Sequence, residues 1–348
     1  MKPLKFPVIS LFSGLGGMDQ GLEASGLDIK VCVEKDKDRV ATLKANKPNW
    51  IVIHDDIQNV PTSRILKEAG LDVGEAFMVA GGPPCQPFSK SAFWVTNRAQ
   101  NIVNDPRTKM LDEFLRVVLE TKPKTFLFEN VCGLNYKSSR YVLQPFLTAL
   151  SKAGYNPQCA VLNAVNYGVP QKRKRLFIIG ARDGTPLSFP KPTHTNPDKR
   201  CDKQEKWVTA GDAIGNLDDN IVYDEEKIGG KYGHLLEEIP PGDNYLFFTK
   251  KRGHPKPIFK WRSRFWTFLL KLSPDLPSWT IQANPAKYQG PFHWNNRKLR
   301  IKELKALQCI PFDWKIKGTE LSIKSQIGDA CPPILSKKIA EKIIEQTI

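Results

Sequence analysis

Acidic residues, cysteine and long apolar runs are all in short supply in this chain, and each shortage excludes something. No stretch of roughly eighteen apolar residues occurs, so the sequence holds no membrane-spanning helix. The opening Met1-Lys2-Pro3-Leu4-Lys5-Phe6-Pro7 lacks the apolar core and cleavage site of a signal peptide. Cysteine occurs seven times, an odd number, widely scattered and never in Cys-x-x-Cys spacing. That argues against a disulfide framework and a structural metal, and for a reducing cytoplasm. The Gly-x-x-x-x-Gly-Lys-Ser/Thr phosphate loop is missing, which argues against triphosphate binding. Acids are outnumbered 52 to 36 by Lys and Arg, for a net charge of +16 and a pI near 9.4. Residues 251–300 hold eleven Lys or Arg against one acid, Asp275, whereas residues 211–243 hold nine acids against Lys227 and Lys231. So uneven a distribution predicts a binding face for a polyanion, with nucleic acid the simplest partner.

What is present is organised around Gly81-Gly82-Pro83-Pro84-Cys85-Gln86-Pro87-Phe88-Ser89. The apolar run Ala76–Ala80 before it reads as a buried strand. Two glycines and two prolines then forbid both helix and continued strand, leaving a stiff loop with a cysteine at its tip. In an open α/β sheet, ligands and chemistry sit at such strand ends. A thiol there is either a nucleophile, effective once it is a thiolate, or a small buried hydrophobe.

Along the chain, Val8–Phe12 reads as a strand, Ser13-Gly14-Leu15-Gly16-Gly17 as a glycine turn, and Met18–Ser25 as a helix ended by Gly26. The strand Ile29–Val33 ends at Glu34, twenty residues after Gly14 and placed to accept from two ribose hydroxyls. At the end of a third unit, Asp56 beside Ile57 either accepts from an adenine amino group or caps a turn. These parts predict a nucleoside cofactor without naming it. Ser91–Asn104 reads as a mobile loop over the substrate. Lys109–Thr121 reads as a helix with Met110, Leu111, Phe114, Leu115 and Val118 on one side. Thr125–Phe128 is a strand that delivers Glu129 to the active-site edge, as an acid or as a helix cap. Two further strands, up to Asn163 and over Leu176–Gly180, form a hairpin. Between them Gln171, Arg173 and Arg175 share a face if the stretch is extended, fit for phosphate or a base carbonyl. From Ala181, prolines and fading periodicity predict a second domain of short strands and loops. In it, Phe259–Trp266 interleaves Lys260, Arg262 and Arg264 with aromatic rings, either for phosphate contact and stacking or as a small core. Arg300–Gln308 and Ile334–Ile344 read as helices.

In this order the parts resemble the DNA (cytosine-5)-methyltransferase family, of the bacterial restriction-modification type. The resemblance covers nearly the whole chain apart from the middle of the second domain. Phe12–Gly17 resembles its S-adenosylmethionine loop, Pro84-Cys85-Gln86 its nucleophile motif, Glu129-Asn130-Val131 its glutamate motif, and Gln171-x-Arg173-x-Arg175 its paired-arginine motif. Arg297-x-Leu299 with Glu303 and Leu307-Gln308 resembles the motif after target recognition, and Gly328-Asp329-Ala330-x-Pro332-Pro333 the last motif. Departures are Thr108 for a glycine, Asp329 where Asn is common, and Lys35 where an aromatic ring often stacks on adenine.

The resemblance implies an α/β fold: a Rossmann-like methyltransferase domain with a mixed sheet (1–182 with 315–348) and a smaller irregular target-recognition domain (183–314). It implies S-adenosylmethionine as cofactor, held by Phe12, Ser13, Gly14, Leu15, Gly16, Gly17, Glu34, Asp56, Ile57, Pro84, Met110, Asp329 and Ala330. It implies catalysis by Cys85 adding to C6 of a flipped-out cytosine, with Glu129 assisting at N3, Arg175 at O2, and Arg173 orienting the loop or a phosphate. Gln86, Ser89, Gln171, Lys260, Arg262 and Arg264 are the expected DNA contacts. The expected partner is double-stranded DNA, with the enzyme a monomer on it, cytoplasmic and nucleoid-associated; a cognate restriction endonuclease is a genetic partner. Transfer RNA as substrate, a silent DNA-binding regulator and an oxidoreductase are the competing readings, but the last leaves Cys85 and the arginines unexplained.

Overall fold

Short runs of β-branched and aromatic residues, each ended by a glycine, proline or acid, alternate with amphipathic segments along the first half of the chain, which is the pattern of parallel βα units. A computed structural model describes residues 6–84, 109–199 and 204–348. The expected loop over Ser91–Asn104 lies outside the described residues, as do Cys85, Gln86 and Ser89. The first half runs β1 (Phe6–Leu11), α1 (Gly17–Ala24), β2 (Leu27–Glu34), α2 (Lys37–Asn46), β3 (Ile51–His54), α3 (Thr62–Ala69) and β4 (Met78–Gly81). It continues with α4 (Lys109–Thr121), β5 (Thr125–Val131), α5 (Arg140–Lys152), β6 (Gln158–Asn163), β7 (Gln171–Lys172) and β8 (Lys174–Ala181).

Seven strands form one sheet in the order β3-β2-β1-β4-β5-β8-β6. The first five are parallel, and β8 runs antiparallel between β5 and β6, making the expected hairpin. The order reverses between β1 and β4, so the loops leaving their C-terminal ends diverge and open a crevice. The Phe12–Gly17 turn leaves β1 there and the Gly82-Pro83-Pro84 loop leaves β4.

Both faces of the sheet are covered. Ile65, Phe114 and Phe146 of α3, α4 and α5 pack on one face. Leu22 of α1 packs on the other, with Leu335, Ile339 and Ile343 of α9 (Pro333–Thr347). Each of these α9 side chains is fully buried, worth about 1.5–3 kcal/mol apiece. This is how the last segment of the chain is brought back onto the first. Close approach of the two helices depends on Gly21, where a Cβ would fall 2.1 Å from Ser336 Oγ and 2.2 Å from the Pro333 carbonyl.

The second half is irregular: α6 (Ala210–Ile214), α7 (Ile301–Leu307) and α8 (Glu320–Asp329) stand among single-turn helices and two-residue strands. Residues 228–292 have their own small core, with Tyr245, Phe248, Phe259 and Phe292 buried. A further cluster joins Ala210, Ile214, Leu272 and Leu299 of the irregular half to the glycine-turn side of the chain. Leu304, Leu307, Ile310 and Trp314 share a cluster with Leu15 of the glycine turn and Ile327 of α8, and Trp314 Nε1 donates to the Leu15 carbonyl at 3.0 Å. The stretch from α7 to Trp314 thus packs with the cofactor-loop side.

The charge asymmetry also reads differently in three dimensions. Arg297 is fully buried, forked on Glu303 (2.7 and 2.9 Å) and bonded to Asp218 (3.0 Å). Arg300 holds Asp219 (2.9 Å) and Glu226 (2.5 Å), and Arg252 holds Asp243 (2.5 Å). Much of the acidic stretch therefore neutralises arginines of the basic stretch. Three cations left facing solvent are Lys260, Arg262 and Arg264.

Candidate active site

The crevice at the β1/β4 reversal is a cavity of about 380 Å³, within the range of small-molecule and cofactor pockets, roughly 300–1,000 Å³. Its wall is built from the loops at strand ends, as the sequence requires. Phe12 turns the chain out of β1 with φ 55°, a left-handed conformation unusual for an aromatic residue, and Gly14 follows at φ 59°. Phe12, Ser13, Gly14, Leu15, Gly17, Glu34, Asp56, Ile57, Pro84, Met110, Asp329 and Ala330 all line the cavity. Gly16 does not. It caps α1 at φ 86°, and a Cβ there would meet Leu43 and Trp314 instead. Its role is to let the turn close beneath the pocket.

Glu34 is nearly buried and accepts three backbone N–H groups: Gly14 on Oε2 at 2.8 Å, and Lys35 and Asp36 on Oε1, each at 2.9 Å. A carboxylate has about four acceptor directions, so Glu34 keeps acceptor capacity beyond these three backbone groups. Asp56 caps a turn through Gln58 N (3.1 Å) and lies 3.5 Å from Lys35 Nζ. The turn cap foreseen for Asp56 is present, and the residue also lines the cavity. Asp329 meets Arg39 of α2 at 2.6 Å, tying the end of α8 across the pocket to α2.

Glu129 stands at the deep side of the cavity, with Arg175 Nε 3.0 Å from its Oε1. That ion pair lacks hydrogen-bond alignment, and Oε1 has no hydrogen-bond partner. Burial raises the Glu129 pKa, and it outweighs the opposing pull of Arg175 and Arg173. The Gly82-Pro83 loop packs on the same strand: Asn130 Nδ2 donates to the Pro83 carbonyl at 3.1 Å. A Cβ on Gly82 would fall 2.8 Å from Glu129 Oε2. The Gly82-Pro83 segment is thereby fixed against the acid.

Two expected contact residues have other duties. Arg173 is fully buried and donates to the carbonyls of Ile281 (3.2 Å), Gly328 (2.9 Å) and Asp329 (3.2 Å). With its fork so engaged it cannot reach a phosphate, and it orients the last motif. Burial and the neighbouring Arg175 push its pKa down to about 9, so it keeps its charge at neutral pH. Gln171 is likewise buried, donating to Leu307 O (3.1 Å) and Gln308 Oε1 (2.8 Å) and accepting from Ile281 N. Gln308 passes the link to Ile327 O and Ala330 O. Gln171 is therefore an internal tie, because buried polar groups must find partners inside, and not a DNA contact.

On the outer surface, the Phe259–Trp266 stretch divides. Phe259 belongs to the small core. Trp261, Phe265 and Trp266 are exposed, as are the three cations between them. Arg262 sits at the turn with φ 55°, and Lys251 Nζ lies 4.5 Å over the Trp261 ring.

Sequence reasoning missed Asp19 and Arg39, and it quoted Gln308 only as part of a motif, with no role. The available signal for Asp19 was a charge inside the first turn of a helix that follows the glycine turn directly. Asp19 lines the cavity, is wholly buried, and has no hydrogen-bond partner on either carboxylate oxygen.

A glycine turn over a nucleoside-sized pocket, a carboxylate at the end of β2, and a sheet with an antiparallel strand inserted beside β5 define the class: an S-adenosylmethionine-dependent methyltransferase fold. The donor set suits that cofactor, since Phe12, Ile57 and Met110 line one cavity with Glu34, Asp56 and Asp19. Solved structures share the fold, among them a prophage-encoded protein of E. coli (TM-score 0.68, 23% identity, 98% of this chain and 99% of the other). Another is the S. pombe Dnmt2 methyltransferase (TM-score 0.66, 14% identity, 98% of each chain). The sequence model of the C-5 cytosine-specific DNA methylase family matches residues 6–345. The chain belongs to that family and is a DNA cytosine-5 methyltransferase. Similar relatives include the type II methyltransferase M.SacI of Streptomyces achromogenes, 40% identical over 98% of this chain and 93% of its own length. The type II methyltransferase M1.HphI of Haemophilus parahaemolyticus is 30% identical over 97% and 86%.

Proposed function

We propose that this enzyme methylates C5 of one cytosine within a short double-stranded DNA sequence, as the modification partner of a type II restriction endonuclease, on nucleoid DNA in the cytoplasm. The observation that carries the reading is Glu129: a buried carboxyl of raised pKa, beside Arg175, at the wall of a nucleoside-sized pocket and packed on the loop that leads into Cys85. Cytosine C5 is a poor nucleophile until the ring's conjugation is broken. The Cys85 thiolate forms a bond to C6, and Glu129 donates a hydrogen bond or proton to N3 to take up the charge that develops. Such acid assistance is worth about 10²–10⁴-fold. Arg175 steadies Glu129 and the base's O2. Phe12–Leu15, Gly17, Glu34, Asp56, Ile57, Pro84, Met110, Asp329 and Ala330 would hold S-adenosylmethionine, which would supply an electrophilic methyl group for C5, its sulfur leaving with the bonding pair as a neutral thioether. Loss of the C5 proton to a base then restores the C5–C6 double bond and expels the Cys85 thiolate.

A base stacked in a duplex is out of the thiolate's reach, so the target is flipped into the pocket. Lys260, Arg262 and Arg264 contact phosphates while Trp261, Phe265 and Trp266 pack into a groove or against bases. Gln86 and Ser89 contact DNA from the catalytic loop. The enzyme acts as a monomer.

The test is base-resolution mapping of 5-methylcytosine in DNA from a methylation-free bacterial host expressing the chain or its Cys85→Ala variant. Methylation in one recurring context, lost in the variant, is the expected result. An unmethylated genome in the presence of soluble protein would refute the DNA reading, and the same preparation would then be assayed on transfer RNA.

A further inference from the structure

The mechanism above has no task for Asp19, although it lies in the wall of the cofactor cavity. Among the described residues its carboxylate is distinctive: both oxygens are shut from solvent and neither has a hydrogen-bond partner. Its neighbours offer no countercharge. Ser10 approaches from β1 and shares a hydrogen bond with Ser13 at 2.8 Å in which either hydroxyl can donate, so its own proton can still turn toward Asp19. Cys32 and Glu34 come from β2, Glu23 from the next turn of α1, and Cys331 from the entrance to α9. Burial dominates and raises the carboxyl to about 7, with Glu23 and Glu34 adding to the rise. Ser10 and the helix N-terminus offset it only in part. An acid kept half-protonated at neutral pH inside a binding pocket is poised to respond to a cation.

We propose that Asp19, a buried carboxylate in the wall of the cavity with no hydrogen-bond partner among the described residues, is the pocket's counter-charge for the cationic centre of the cofactor. This rests on the pocket being the S-adenosylmethionine site. The chemistry fits, since S-adenosylmethionine carries a sulfonium and an ammonium, while the demethylated product retains only the ammonium. A single cation within about 10 Å, at an effective dielectric of about 20, lowers a carboxyl pKa by roughly one unit. Binding of the cofactor then tightens as pH rises through the range in which free Asp19 titrates.

The experiment is isothermal titration calorimetry of the whole protein, wild type and Asp19→Asn, with S-adenosylmethionine and with S-adenosylhomocysteine. Buffers of high and low ionisation enthalpy count the protons released. At pH 7 the wild type should release about half a proton more than the variant, and this excess should fade by pH 8.5. Its dissociation constant for S-adenosylmethionine should fall about tenfold between pH 5.5 and pH 8, with the variant nearly flat. Excess release with both nucleosides supports the proposal and assigns the ammonium as the cation; release with S-adenosylmethionine alone supports it and assigns the sulfonium. Tight binding with the same proton count in wild type and variant overturns the proposal but leaves the cofactor reading standing. Failure of folded wild type to bind either nucleoside overturns both. Should the variant not fold, the pH dependence of proton release by the wild type decides the matter alone.

Discussion

Replacing Asp19 with Asn should stabilise the cofactor-free enzyme at neutral pH, and by an amount that depends on pH in a defined direction. An unfolded carboxyl ionises near 3.8, and Asp19 in the folded chain near 7. Between these values the unfolded chain has lost a proton that the folded chain still holds. Stability from this group is therefore complete below about pH 4 and is lost as pH climbs through 7. A shift of about three units corresponds to about 4 kcal/mol at 1.36 kcal/mol per unit. Asparagine fills nearly the same volume and has no proton to lose, so other groups cancel when the two proteins are compared at each pH. The variant should gain about 3 kcal/mol relative to wild type on going from pH 4 to pH 7. The assay is urea unfolding of both proteins across that range, read as the difference in extrapolated free energy. A difference that stays constant with pH, or that favours the wild type increasingly as pH rises, would refute the reasoning. The helix N-terminus would then have overcome burial, although its effect on a carboxylate is at most about 2 kcal/mol.

Glu129→Gln keeps the shape but loses the acid, so kcat should fall about 10²–10⁴-fold with cofactor affinity unchanged; near-normal turnover would remove Glu129 from the mechanism. Gly82→Ala places a methyl group 2.8 Å from Glu129 Oε2; the acid must move, and single-turnover rates should drop about 10²-fold with little change in the urea midpoint. Arg173→Lys leaves at least one of three buried carbonyls unpaired and should cost about 2–4 kcal/mol in urea unfolding, with a higher KM for the cofactor because Asp329 and Ala330 lose their anchor.

Much of the fold was legible because local pattern and global role agree in the first half of the chain. The α4 span, the glycine turn, the Glu34 position and the β6–β8 hairpin all follow from periodicity and punctuation within a few residues of one another. Glu129 was expected just past the end of a strand over Thr125–Phe128; it lies inside β5, which runs on to Val131, and lines the cavity from within the strand. The second half was less legible because its core uses few periodic elements. Four separate aromatic residues, Tyr245, Phe248, Phe259 and Phe292, close that core from loops, and nothing in their spacing foretells which ring turns inward.

What sequence determined unaided was the family, the order of the strands' cargo and the identity of the chemical groups: a cysteine after two prolines, an acid after a short apolar run, a glycine turn before a helix. These are properties of short stretches, and short stretches carry them in their own residues. Tertiary structure alone decided which charges are free. Arg173 and Gln171 resemble surface contacts in a row of cations, yet the fold places their side chains against carbonyls from residues more than one hundred positions away. Arg297 and Arg300 read as part of a basic face until Asp218, Asp219 and Glu226 are brought against them. Asp19 reads as an ordinary helix-start acid until α9 and the sheet close over it. The physical reason is common to all three: the cost of a buried polar group depends on what surrounds it, and those surroundings come from parts of the chain that no local pattern connects.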